Sequence, residues 1–178
     1  MRLNIVSSKA LKLLQNITSL GKINKLLLPL NEEFKRDEPY EYFAIKDYYP
    51  HVYEETISLL IELSIMLRRE SEQLEKYGKS INNKVKYSNI AKYISNTKDI
   101  SFSDALSKII HSDRIDLQMK DKSGNIGYGY EIDRNCEFTG FAMIKGKEKD
   151  GTEYQALVDV KKLCINAFMI GADNYYMM

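Results

Sequence analysis

A carboxylate, an ammonium and an imidazole fall on one helical line near the middle of the chain: Asp104, Ser107, Lys108 and His111. Side chains of these types can move protons or grip a phosphate. Asp113 and Arg114 follow at once. The same arrangement also arises without chemistry, because the side of an amphipathic helix opposite its core stripe must meet water. Arg68 joins this set from another segment. It falls on an apolar helical arc, in line with Ile57, Ile61 and Ser64, where it either snorkels to water or needs a partner.

A second constellation suits nucleic acid. Residues 77–98 interleave Lys79, Lys84, Lys86, Lys92 and Lys98 with Tyr77, Tyr87 and Tyr93. Lysines contact phosphates and tyrosines stack on bases. A third suits a protein surface: Tyr40, Tyr42, Phe43, Tyr48, Tyr49 and Tyr53 cluster before a long apolar run. Tyrosine supplies contact area and a hydrogen bond together, which serves an interface or a core edge equally well.

Several chemistries are excluded by spacing. Gly140 and Gly146-Lys147 stand one residue too far apart for a phosphate loop, and Glu148 occupies the place of the magnesium-binding hydroxyl. Gly127-Tyr-Gly129 lacks the βαβ surroundings of a dinucleotide fingerprint. Cys136 and Cys164 lack zinc spacing, and two histidines, His51 and His111, build no cluster. No metal and no cofactor is expected. No apolar run is long enough to span a membrane, and the two thiols read as reduced and cytoplasmic.

The 178 residues are 44% hydrophobic and 29% charged, the mix of a globular chain long enough to bury a core. Net charge is +1, yet the charge is segregated. Residues 1–31 and 77–98 each carry five bases and no acid, and residues 32–76 carry twelve acids against six bases. Whether the basic segments form one patch depends on the fold.

The elements that must position these groups follow from periodicity. Ser7-Ser8 suits the cap of a first helix with Leu11, Leu14, Ile17 and Leu20 on one face and Gly21 past its end. Residues 30–48 read as irregular. Pro50 suits the first turn of a central helix over His51–Lys76, apolar almost all round and so covered on several sides. Ser88–Ser95 reads as a short helix. Ser101-Phe-Ser-Asp104 has the form of a capping box before a stripe of Phe102, Ala105, Leu106, Ile109 and Ile110. Arg114–Lys120 then alternates as a strand, with Asp116, Gln118 and Lys120 outward. Turns at Asp121–Asn125 and Lys149–Thr152 separate further strands predicted over Ile126–Ile132, Phe138–Lys145 and Tyr154–Val158, and Asp159 caps a closing helix with Val160, Leu163, Cys164, Ala167 and Phe168 on one stripe.

The block Ser103-Asp-Ala-Leu-Ser-Lys-Ile-Ile-His111 resembles a helix end in HEPN-type proteins, and similar Lys-Ile-Ile-His helix ends in uncharacterised bacterial proteins. The resemblance spans about ten residues. It implies a small helical bundle and, in many members, RNA cleavage by an Arg and a His with four to six residues between them. No Arg precedes His111 at that spacing, so only His111 matches.

The reading is a single α+β domain: a helical bundle over 1–112, an antiparallel four-stranded β-meander over 113–159 and a closing helix over 160–173. Two functions are expected of it. The first is a non-catalytic binding protein for a protein or RNA partner, in phage defence or a mobile element, using Lys79, Lys84, Lys86, Tyr87, Lys92, Tyr93, Tyr48 and Tyr49; a second copy of the chain is a further candidate partner. The alternative is a degenerate ribonuclease using His111 with Asp104, Lys108 and Arg68. A small-molecule or RNA site is expected where the last bundle helix meets the first strand, at His111–Arg114.

Overall fold

The computed structural model describes residues 5–17, 39–121, 123–129 and 137–173, with the side chains of all of these except 39–49, 172 and 173. Among the described residues there are four helices and one six-stranded antiparallel sheet. In chain order they are α1 (residues 5–17), α2 (Pro39–Lys76), β1 (Asn89–Tyr93), β2 (Asp99–Ser101), α3 (Phe102–Ile110), β3 (Arg114–Lys120), β4 (Ile126–Tyr128), β5 (Glu137–Lys147), β6 (Glu153–Asp159) and α4 (Val160–Asp173). A 3₁₀ turn at Ile81–Asn83 links α2 to β1.

The expected split into a bundle and a four-stranded meander is overturned. Strands and helices are interspersed, and the sheet order is β2-β1-β6-β5-β3-β4. The segment predicted as a helix over Ser88–Ser95 is strand β1. Its Ile90, Ala91, Tyr93 and Ile94 mimic helical spacing, but Ala91, Lys92 and Tyr93 pair with Val158, Leu157 and Ala156 of β6. On its other side β1 pairs with β2. Isoleucine and tyrosine suit a strand as well as a helix, and pairing on both sides decides the matter. The sheet therefore crosses the boundary predicted at 112–113.

Directly opposed residues share a face. The inner face carries Ile115, Leu117, Ala142, Ile144, Ala156, Val158, Ala91 and Ile100, all buried. They share one core with Leu60, Leu63 and Leu67 of α2, Phe102, Leu106 and Ile109 of α3, and Leu163, Cys164 and Ala167 of α4. Burial pushes the Cys164 thiol up to about 12, as expected of an inert core cysteine. Tyr53, the last of the tyrosine cluster, lies in this core, and its hydroxyl accepts the Leu117 N–H at 2.9 Å.

Other expectations meet mixed outcomes. The α3 cap stands: Ser101 Oγ accepts the Asp104 N–H at 3.2 Å and donates to the Asp104 carboxylate at 2.7 Å. Asp159 caps α4 by accepting the Lys162 N–H at 3.0 Å. The central helix begins twelve residues earlier than predicted, with Pro39 in the first turn and Pro50 inside. Helix α1 turns Val6, Ala10, Leu13 and Ile17 inward and leaves Leu11 exposed, because the small Ala10 completes a tighter stripe than the leucines suggest. Its lysines Lys9 and Lys12 pair with Glu62 and Glu55 of α2. Basic and acidic segments that are separate in the sequence thus meet side by side. Asp116, opposite Met143, keeps the outer face that alternation predicts, yet it and Gln118 are buried. Arg114 lies 2.7 Å from Asp116, and the Gln118 amide donates to the Tyr128 hydroxyl at 3.0 Å.

Candidate nucleic-acid interface

Helix α3 does not gather its polar residues into one centre. Asp104 is engaged at the N-terminal cap. Arg68 donates to Ser103 and Ser107 at 3.1 and 3.2 Å and to Glu72 at 3.1 Å, which ties α2 to α3 while its side chain stays 36% exposed. His111 is exposed at the end of the helix. Lys108 turns instead into a cage. Its ammonium pairs with Glu148 and lies 4.1 Å from the Tyr154 ring and 5.1 Å from the Tyr93 ring. The Tyr93 hydroxyl donates to Glu148 at 2.9 Å, and that of Tyr154 donates to the Lys108 carbonyl at 3.1 Å. The cage joins α3, β1 and the β5–β6 hairpin.

Burial works against the Lys108 charge, but Glu148 and Tyr93 more than offset it and hold the ammonium above its ordinary value. The Lys108 hydrogen bond in turn holds Glu148 below the usual carboxylate range. A lysine raised in this way contributes stability below its unfolded value, about 10.4, and loses it as pH rises through the folded value. A glutamate lowered in this way contributes above about 4.3 and loses it as pH falls. Burial raises Tyr154 as well, which adds to the alkaline loss. We expect urea midpoints to be level between about pH 5 and 9 and to fall on both sides. Lys108→Met should make both limbs shallower; limbs identical to those of the parent would place the dependence elsewhere.

Beside the cage, where α3 meets β3, lies a cleft of about 750 Å³. It holds Arg114, Lys145 and Lys147, but also Asp113, Glu148 and Glu153, so both signs are present in similar number. This is the place expected for a site at His111–Arg114, though His111 does not line it.

The basic segment of residues 77–98 is spread over the fold. Lys79 is exposed just past α2, where Gly78 takes a φ of +67° to end the helix. Lys84 closes the 3₁₀ turn, and Tyr93 is committed to the cage. Lys86 and Tyr87 behave differently. Asn166, fully buried in α4, accepts the Tyr87 N–H at 3.0 Å and donates to the Tyr87 carbonyl at 2.8 Å. On the ring so held, the ammonium of Lys86 lies 5.4 Å from the centroid and that of Lys162 5.7 Å. Lys162 comes from α4, 75 positions away in the chain, and nothing in its local pattern marks it.

Lys162 also lines a smaller groove of about 270 Å³ on the outer face of the sheet, with Lys92, Phe141 and Leu157. It thus stands between two members of the predicted binding set, Tyr87 and Lys92. The side chains of Tyr48 and Tyr49 lie outside the described residues.

Among the described residues, none group as ligands for a metal ion, and no helix is long and apolar enough to cross a membrane. The chain matches no family model, no curated protein and no solved structure. Its function is therefore argued from these residues.

Proposed function

We propose that the protein is a non-catalytic binding protein and that its partner is RNA. One observation carries the reading: Lys86 and Tyr87 meet Lys162 around a ring whose backbone is clamped on both sides by a buried amide. Cations beside an aromatic ring are the parts with which proteins hold single strands. Clamping the ring beforehand lowers the ordering cost of binding.

The test is fluorescence anisotropy with a labelled single-stranded RNA of roughly 12 nucleotides, within the usual site size of such surfaces. Affinity should fall linearly with salt on logarithmic axes. Lys86→Ala should weaken it at every salt concentration. Absence of binding at low salt would overturn the reading. A protein retained specifically under conditions where RNA is not would move it to a protein partner. Cleavage of the probe that His111→Ala abolishes would replace it with the ribonuclease alternative.

A further inference from the structure

We infer that the outer groove of the sheet takes one unpaired nucleotide of that RNA, with the base on Phe141 and the flanking phosphates on Lys92 and Lys162. This rests on the RNA reading above and adds a site to it.

The sheet register builds the groove. Phe141 stands opposite Asp159, and the next rung runs Met143, Leu157, Lys92, Asp99. Phe141 and Leu157 are therefore diagonal neighbours on the face turned away from the core, and both are half-buried. They make an apolar floor where a polar surface would be ordinary. Two lysines line it as well, Lys92 from β1 and Lys162 from α4.

Two carboxylates are also present, and each has a local role. Asp99 accepts from the Asn89 amide at 3.2 Å. Asp159 caps α4 and lies 3.5 Å from Lys162. Lys86 shares the Tyr87 ring with Lys162 and so continues the run of cations beyond the groove. Within the groove two lysines meet these two carboxylates, and Lys86 beside the Tyr87 ring adds a third cation next to Lys162.

A flat apolar floor with cations at its rim matches a base and its phosphates. An aromatic residue on an open sheet face is well placed to stack a splayed base, which a duplex does not offer. At about 270 Å³ the groove is just smaller than the usual ligand pocket, which limits it to a single ring system.

The experiment compares the parent with Phe141→Leu, Phe141→Tyr, Lys92→Ala and Lys162→Ala, using the single-stranded probe and an RNA duplex of equal length. Phe141→Leu should weaken single-strand binding about tenfold. Phe141→Tyr should restore it. Lys92→Ala and Lys162→Ala should each reduce the salt slope by about 0.7. The duplex should bind more weakly than the single strand and be indifferent to Phe141. Thermal midpoints identify any variant that fails to fold; if Phe141→Leu does so, Lys92→Ala decides, because Lys92 lines the groove and is not one of the cations on the Tyr87 ring. If these variants bind like the parent while Lys86→Ala still weakens binding, the groove is excluded and the RNA reading stands. If the parent binds no RNA, the RNA reading fails first.

Discussion

Asn166→Ala is expected to destabilise the protein by about 2–4 kcal/mol, although no charged or aromatic group is removed. The buried Asn166 amide meets both the N–H and the carbonyl of Tyr87, as a neighbouring strand would. Alanine leaves two partly buried backbone groups without this partner, at about 1–3 kcal/mol for each group left unsatisfied. At this chain length the loss corresponds to a fall in thermal midpoint of roughly 5–15 °C. The loop between α2 and β1 should loosen as well, and with it Lys86 and Tyr87. Denaturant unfolding with hydrogen exchange of the Tyr87 amide reads both effects. A change within about 0.5 kcal/mol, the range of an ordinary surface substitution, would contradict the clamp.

Gly146→Ala is expected to cost a similar amount, about 2–4 kcal/mol, from one added methyl group. Gly146 stands opposite Tyr154 in the β5–β6 pair. A Cβ there would lie 2.7 Å from the Tyr154 hydroxyl oxygen, 2.9 Å from Cζ and 3.1 Å from Cε1. The buried ring is held at its hydroxyl by the Lys108 carbonyl and on its face by the Lys108 ammonium. Moving it gives up those contacts, a loss that adds to the roughly 1–3 kcal/mol of overpacking itself. Combining Gly146→Ala with Tyr154→Phe removes the nearest atom and should recover part of the loss, a coupling that a double-mutant cycle measures. A neutral Gly146→Ala, or strict additivity of the two changes, would show that the ring is not confined.

Both substitutions act on contacts between segments far apart in the chain, and neither is marked by local pattern. Asn166 sits on a helix whose apolar stripe was legible, but the spacing of that stripe says nothing about Tyr87. Gly146 drew notice only as part of a failed phosphate loop. Lys108 was legible as a polar-face residue, yet a helix face states only which way a side chain leaves its own axis. Whether it meets water or two tyrosines depends on where the β5–β6 hairpin folds.

The charge pattern divides in the same way. Segregation of bases in residues 1–31 and acids in residues 32–76 is plain in the sequence. Its consequence is not, because Lys9 and Lys12 are committed to Glu62 and Glu55 across a helix contact. The second basic segment keeps exposed lysines, but spreads them over the α2 end, the Tyr87 ring and the outer sheet face.

Sequence alone determined the elements whose signals are local. Serine and aspartate capped α3, alternation placed β3, the turns placed β5 and β6, and Asp159 with an apolar stripe placed α4. Tertiary structure decided the rest. It made β1 a strand by giving it partners on both sides, and so made the sheet six-stranded. It buried Asp116 and Gln118, drew Lys108 into its cage, and set Lys162 beside Tyr87. The physical reason is that periodicity and caps report the interaction of a segment with its own backbone. Pairing, burial and charge compensation are settled by residues tens of positions away, whose approach no local spacing encodes.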